Sequence, residues 1–165
     1  MDKFTKAYIE AMLWSTCLEP YGECASCGKN AVLCQFDNDG NGPEWTLCSN
    51  CDGDPQGNHH APPAYDNYSI DNISTKLMEM IKEDCASFQE DNKETLADWY
   101  EKCGESEERA GHDFWLTRER HGAGFWDRWS NSTTEGIIGM LLTDSAHSYG
   151  EMYLYVGDDG MIHGS

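Results

Sequence analysis

Positive charge is what this chain has least of. Its 165 residues include only eleven Lys and Arg against thirty Asp and Glu, a formal net charge of -19. A surplus of that size favours solubility and opposes self-association, and it works against nucleic acid or anionic membranes as partners. Long apolar runs are also missing. No stretch approaches the roughly 20 residues of a membrane span, and Met1-Asp2-Lys3-Phe4 does not open a secretory leader. The expected location is therefore the cytoplasm. In a reducing compartment the eight cysteines point to metal ligation rather than to disulfides.

The scarce arginines are not scattered. Arg109, Arg118, Arg120 and Arg128 fall in or just before Gly111-His-Asp-Phe-Trp-Leu-Thr-Arg-Glu-Arg-His-Gly-Ala-Gly-Phe-Trp-Asp-Arg128, which also holds Trp115 and Trp126. Strand formers on both sides of 119–122 predict a hairpin, 114–118 pairing with 124–128. Arg118, Arg120, His121, Trp126 and Arg128 are then the candidate anion or partner site. Guanidinium groups beside Gly122-Ala-Gly124 amides suit an anion, with Trp115 and Trp126 as stacking surfaces. The competing reading pairs those arginines with Asp113, Glu119 and Asp127 inside the fold. A hydrolase pocket at His121 would need Thr117 or Ser130 as nucleophile, or Asp113 and Asp127 as an acid/base pair. No catalytic spacing supports either, so no catalytic residue is assigned and an enzyme is the less favoured reading.

The cysteines cluster as well. Cys24-Ala-Ser-Cys27 and Cys48-Ser-Asn-Cys51 are two C-x-x-C pairs twenty residues apart. Each pair can place two thiolates on one ion, and together they complete a tetrahedral shell. Two strands at 31–36 and 43–47 around a turn at 37–42 give the layout of a zinc ribbon over about 21–54. The cofactor expected is structural zinc on Cys24, Cys27, Cys48 and Cys51, with no open position for chemistry. Cys34, His59 and His60 are alternative ligands. A redox C-x-x-C lacks its thioredoxin-like frame. The Asp37-x-Asp39-x-Asn41-Gly42 opening of a calcium loop fails at the twelfth position, where Cys48 stands in place of Glu. Cys17, Cys85 and Cys103 read as buried free thiols.

Around that insert the apolar spacing gives helices at 3–16, with Asp2 as N-cap, and at about 74–102, bent near Asp91-Asn92. The second carries an acidic outer face of Glu79, Glu83, Asp84, Glu90, Asp91, Glu94, Asp98 and Glu101. Residues 104–111 read as a polar loop. The capping box Ser132-Thr-Thr-Glu135 starts a helix running to about Ser148, and Gly150 stops it. A second hairpin joins 151–156 to 161–163 through a primed turn at Asp159-Gly160. The fold class is α+β: a small antiparallel sheet of two hairpins packed with about three helices. The domain comprises 1–16 and 66–165, and 17–65 form the zinc-ribbon-like insert.

The segments Tyr8-Ile-Glu-Ala-Met-Leu-Trp-Ser15, Asp84-Cys-Ala-Ser-Phe-Gln89, Asp113-Phe-Trp-Leu-Thr-Arg118, His121-Gly-Ala-Gly-Phe-Trp-Asp-Arg128 and Tyr155-Val-Gly-Asp-Asp-Gly160 together resemble a family of small, uncharacterised bacteriophage and prophage proteins. The resemblance covers 4–16 and 66–163, and the cysteine insert departs from it. It implies an accessory protein in the cytoplasm of a bacterial host, and it brings no activity. The function expected is binding to a host protein, in its most concrete form the inhibition of a defence or nucleic-acid enzyme by charge mimicry. A zinc-ribbon module for nucleic acid or nucleotides is the alternative, although that segment has only Lys29 as a basic residue.

Overall fold

The computed structural model describes residues 1–16, Leu18 and 68–165, together with the backbone of four short strands between them. Those strands form two antiparallel pairs. β1 (Tyr21–Glu23) pairs with β2 (Asn30–Val32), and β3 (Gln35–Phe36) pairs with β4 (Pro43–Glu44). All four expected zinc ligands, and Cys17, Cys34, His59 and His60, lie outside the described residues.

Among the described residues, five α-helices and a third two-stranded sheet follow the expected α+β class. α1 (Lys3–Ser15) begins where Asp2 accepts the Thr5 N–H at 2.7 Å. A single 3-10 turn at Ile70–Asn72 precedes α2 (Thr75–Asp91), whose N-cap Ser74 accepts the Leu77 N–H. The bend expected near residue 91 is a complete break. Asn92 separates α2 from α3 (Lys93–Lys102), and its side-chain amide donates both to the Phe88 carbonyl and to Ser145 Oγ. One polar side chain therefore ends a helix and ties the junction to a distant one.

The largest correction concerns the arginine-rich stretch. Residues 107–118 form no strand; they are α4 (Glu107–Arg118). The expected polar loop is its start, because Ser106 caps it by accepting the Arg109 N–H and Glu107 and Glu108 occupy the positive end of the helix dipole. The 119–122 turn is real, but it ends this helix. The His121 N–H reaches the Leu116 carbonyl and the Arg120 N–H the Thr117 carbonyl, a Schellman motif with Arg120 in the left-handed position at φ 55°. Residues Asp113 to Arg118 are all buried. A helix covered on every side shows no 3.6-residue stripe, so its bulky residues imitate a strand. Among the described residues of 1–16 and 68–165 the sheet accordingly has one hairpin, and five α-helices stand where about three were expected.

α5 (Thr134–Ser148) starts one residue later than its capping box implied, with Thr133 accepting the Gly136 N–H. Gly150 stops it at φ +69°. β5 (Leu154–Val156) and β6 (Ile162–Gly164) pair with Tyr155 opposite His163. Their turn is not a primed one, since Gly160 has positive φ and Asp159 does not. A type I turn followed by a left-handed glycine closes the hairpin instead. The Ser74 N–H donates to the Ile162 carbonyl, which fastens β6 to the start of α2.

One core joins these elements, so residues before and after 17–67 fold together. Its centre is aromatic. Phe88 stacks on Phe114 with ring centroids 4.0 Å apart, Phe4 and Tyr8 close one side, and Phe125 and Trp99 extend the other. Gly111 is what lets α1 lie against α4, because a Cβ there would overlap the Phe4 carbonyl.

Candidate functional site

The residues expected to form an anion site are placed in two different frames. The first surrounds Arg118, which is 6% exposed at the end of α4. Its Nη1 donates to Asp84 Oδ2 at 2.7 Å and to the Tyr8 hydroxyl at 3.0 Å. Its Nε and Nη2 donate to the carbonyls of Gly150 and Tyr149. Side chains of α1 and α2 and the carbonyls that end α5 thus converge on one guanidinium of α4, whose planar fork suits several acceptors at once. Burial pushes the Tyr8 hydroxyl well above its ordinary range, so it stays protonated.

The second frame surrounds Asp113, a carboxylate with no exposed surface. Arg128 reaches both of its oxygens at 2.9 Å, Arg109 Nε lies 3.5 Å away, and His112 Nδ1 sits 3.3 Å off. A buried carboxylate needs such partners, and the bidentate Arg128 contact supplies the strongest. Asp127 stands 4.0 Å from Arg128 as a weaker contact. The pairing of Arg118 and Arg128 with acids inside the fold is therefore what the described residues contain, although the carboxylate on Arg118 is Asp84, a residue the sequence had placed on the outer acidic face. The missed signal was spacing: Cys85 and Phe88 point inward on α2, and Asp84 lies beside them.

Arg120 is exposed and pairs with Glu151 at 3.1 Å across the gap to the hairpin. His121 is half-buried, and that burial holds its imidazole below the usual range. Glu119 accepts the Met152 N–H at 2.8 Å, and burial lifts its carboxyl to about 6 despite that bond and the nearby Arg118. Trp126 is 46% exposed, whereas Trp115 is a core residue that donates its Nε1–H to Ser15 Oγ. The two tryptophans do not form a stacking pair of exposed faces. Thr117 is fully buried and its hydroxyl accepts the Phe125 N–H, while Ser130 shares a hydrogen bond with Ser132.

A groove of about 540 Å³ lies elsewhere, between α1 and the start of α4. Trp14, His112 and Arg109 line it together with Glu10 and Glu108, so its polar character is mixed. None of Arg118, Arg120, His121, Trp126 or Arg128 contributes to that lining. Cys85 is buried, which pushes its thiol up, and Cys103 is half-buried. Among the described residues, no group of three or more His, Cys, Asp and Glu gathers to hold a metal ion. No helix among them is long and apolar enough to cross a membrane. No family model, curated protein or solved structure matches the chain.

Proposed function

We propose that this chain is an acidic, phage-type accessory protein that acts by binding a host protein, and that its target is a nucleic-acid-handling or defence enzyme whose basic groove it occupies. The observation that carries this reading is the engagement of every arginine. Arg109 and Arg128 face Asp113, Arg118 faces Asp84, and Arg120 faces Glu151. Arg118 and Arg128 are drawn into the fold, and Arg120 offsets a single surface carboxylate. Along α2 and α3, Glu79, Glu83, Glu90, Asp91, Glu94 and Glu101 are exposed beside only Lys76, Lys82, Lys93 and Lys102. Exposed carboxylates along two successive helices offer a basic groove what phosphates would offer it.

The cysteine insert fits the same reading as a structural zinc module held by Cys24, Cys27, Cys48 and Cys51. What supports it is sequence order: Cys24 and Cys27 fall in the connection of β1 to β2, and Cys48 and Cys51 follow β4. Four thiolates would fix the connections without leaving a coordination position for water.

Affinity capture from host lysate tests the function. The expected result is recovery of a nucleic-acid-handling protein that is released by raised salt and by competing duplex DNA. Failure to recover any partner at low salt counts against the proposal, as does a partner that salt and DNA leave bound. For the metal, elemental analysis is expected to give about one zinc per chain and Cys24→Ser to release it. Full occupancy in that variant would show that the ligands are misassigned.

A further inference from the structure

The C-terminal half of the fold carries one surface that neither charge mimicry nor the arginine frames use. α5 is apolar on both sides. Gly136, Ile138, Gly139, Leu142 and Ala146 face the core, while Ile137, Met140 and Leu141 on the opposite side are 52%, 43% and 54% exposed. A helix with apolar residues all round is ordinarily covered on all sides, and a contiguous exposed apolar strip marks a contact surface.

Charge decides what covers it. In a chain that is 25% charged, the fifteen residues of α5 hold no Lys or Arg and only two carboxylates, Glu135 and Asp144. On a helical wheel Thr134, Ile137, Leu141, Asp144 and Ser148 share one face with Met140 at its edge, and Glu135 falls on the far side. A basic partner would gain little from so few carboxylates. A second copy faces the opposite problem: two chains of -19 repel wherever their acidic surfaces meet. This is a face where they could meet without apposing acids.

We infer that α5 is a homodimer surface, two copies packing it antiparallel about a two-fold axis near Gly139. Ile137 of one copy then lies over Leu141 of the other, and Met140 flanks the axis. Asp144 stands five residues from that axis, so the two Asp144 carboxylates are separated by roughly 15 Å along the helices. That exceeds the Debye length of about 8 Å at physiological ionic strength, and their repulsion is screened. Because the remaining opposition is the long-range repulsion of two acidic bodies, dimerisation strengthens with salt. The proposed host complex, an attraction between opposite charges, weakens with it.

Sedimentation equilibrium on the full chain tests this in about 0.05 M and about 1 M sodium chloride. The expected result is a shift from the 18.6 kDa chain mass toward twice that value as salt and protein concentration rise. Leu141→Asp is expected to return the chain mass at every salt concentration, with unchanged far-ultraviolet circular dichroism. Leu141→Lys separates packing from charge. It lowers the net acidity, yet it too is expected to abolish the dimer, since it places an ammonium group over Ile137. A single-chain mass for the wild type at high salt overturns the proposal, as does a dimer that survives or strengthens in either folded variant.

Discussion

Asp113 is the residue on which the most depends. It lies without exposed surface between Arg109, His112 and Arg128, and only Arg128 reaches both of its oxygens. Asp113→Asn keeps the volume and removes the charge, leaving Arg128 facing a neutral amide at the edge of the core. Breaking a buried pair in this way costs about 3 kcal/mol, and urea unfolding of the variant is expected to show a loss of that order. Glu119 and His121 sit two residues apart and respond to pH in opposite senses. The Glu119 carboxyl is lifted from 4.5 to about 6, so the folded chain holds that proton more tightly than the unfolded one. Its contribution to stability is greatest below 4.5 and is lost as pH rises to about 6. The His121 imidazole is depressed below 6.5, so its contribution is present above 6.5 and is lost as pH falls. Glu119→Gln is expected to steepen the loss of stability on acidification below pH 6, and His121→Asn to make it shallower. Thermal unfolding across that range checks both, and matching profiles for the two variants would contradict the assignment.

Among the elements, α4 is where the sequence misleads, and the reason is physical. α1, α2 and α5 were legible because each shows an apolar stripe or a capping side chain. α4 has the cap, in Ser106, but its second half is buried on all sides and offers no stripe to read. Phe114, Trp115 and Thr117 are strand formers that tertiary packing holds in a helix. Its end carried no glycine to announce it either, because Arg120 occupies the left-handed position. The same placement blurred the candidate site: four arginines close in sequence belong to two frames and a surface pair, and only packing separates them. The left-handed position makes a prediction. It costs a non-glycine residue about 1–2 kcal/mol, more for a β-branched one. Arg120→Gly relieves that cost, gives up an exposed ion pair of about 0.5 kcal/mol, and adds freedom to the unfolded chain. Arg120→Gly is therefore expected to be at least as stable as the wild type and Arg120→Val about 1 kcal/mol less stable. Urea unfolding of the two variants checks this, and an Arg120→Gly variant clearly less stable than the wild type would contradict it.

At the scale of the whole molecule, the sign of the charge was legible and its arrangement was not. Composition gives -19, while the frames around Asp113 and Arg118 show where the opposing charge is held. With Arg118 and Arg128 drawn inward, the remaining cations are outnumbered at the surface; mutual repulsion of the surface acids opposes folding, and salt relieves it more than it weakens the buried pairs. The melting temperature is expected to rise between about 0.02 M and about 0.2 M sodium chloride. A fall would mean that surface ion pairs such as Lys3–Glu108 and Arg120–Glu151 hold the fold together.

The contact between α1 and α4 has a consequence in time as well as in space. Trp115 bonds to Ser15 across a hundred residues of chain, and Phe4 lies under Gly111. A ribosome adding roughly 5–20 residues each second releases α4 about 5–20 s after α1. Until then Phe4 and Tyr8 lack Phe114 and Trp115, the α4 rings that pack against them in the folded chain. The first helix made must wait for the fourth, and the nascent chain is most exposed to aggregation and to chaperones during that interval. Lengthening the intervening stretch prolongs the wait while adding only about 0.6 kcal/mol per doubling to the cost of closing the loop. An insert between α1 and α2 is thus tolerated by the folded state and felt chiefly during synthesis.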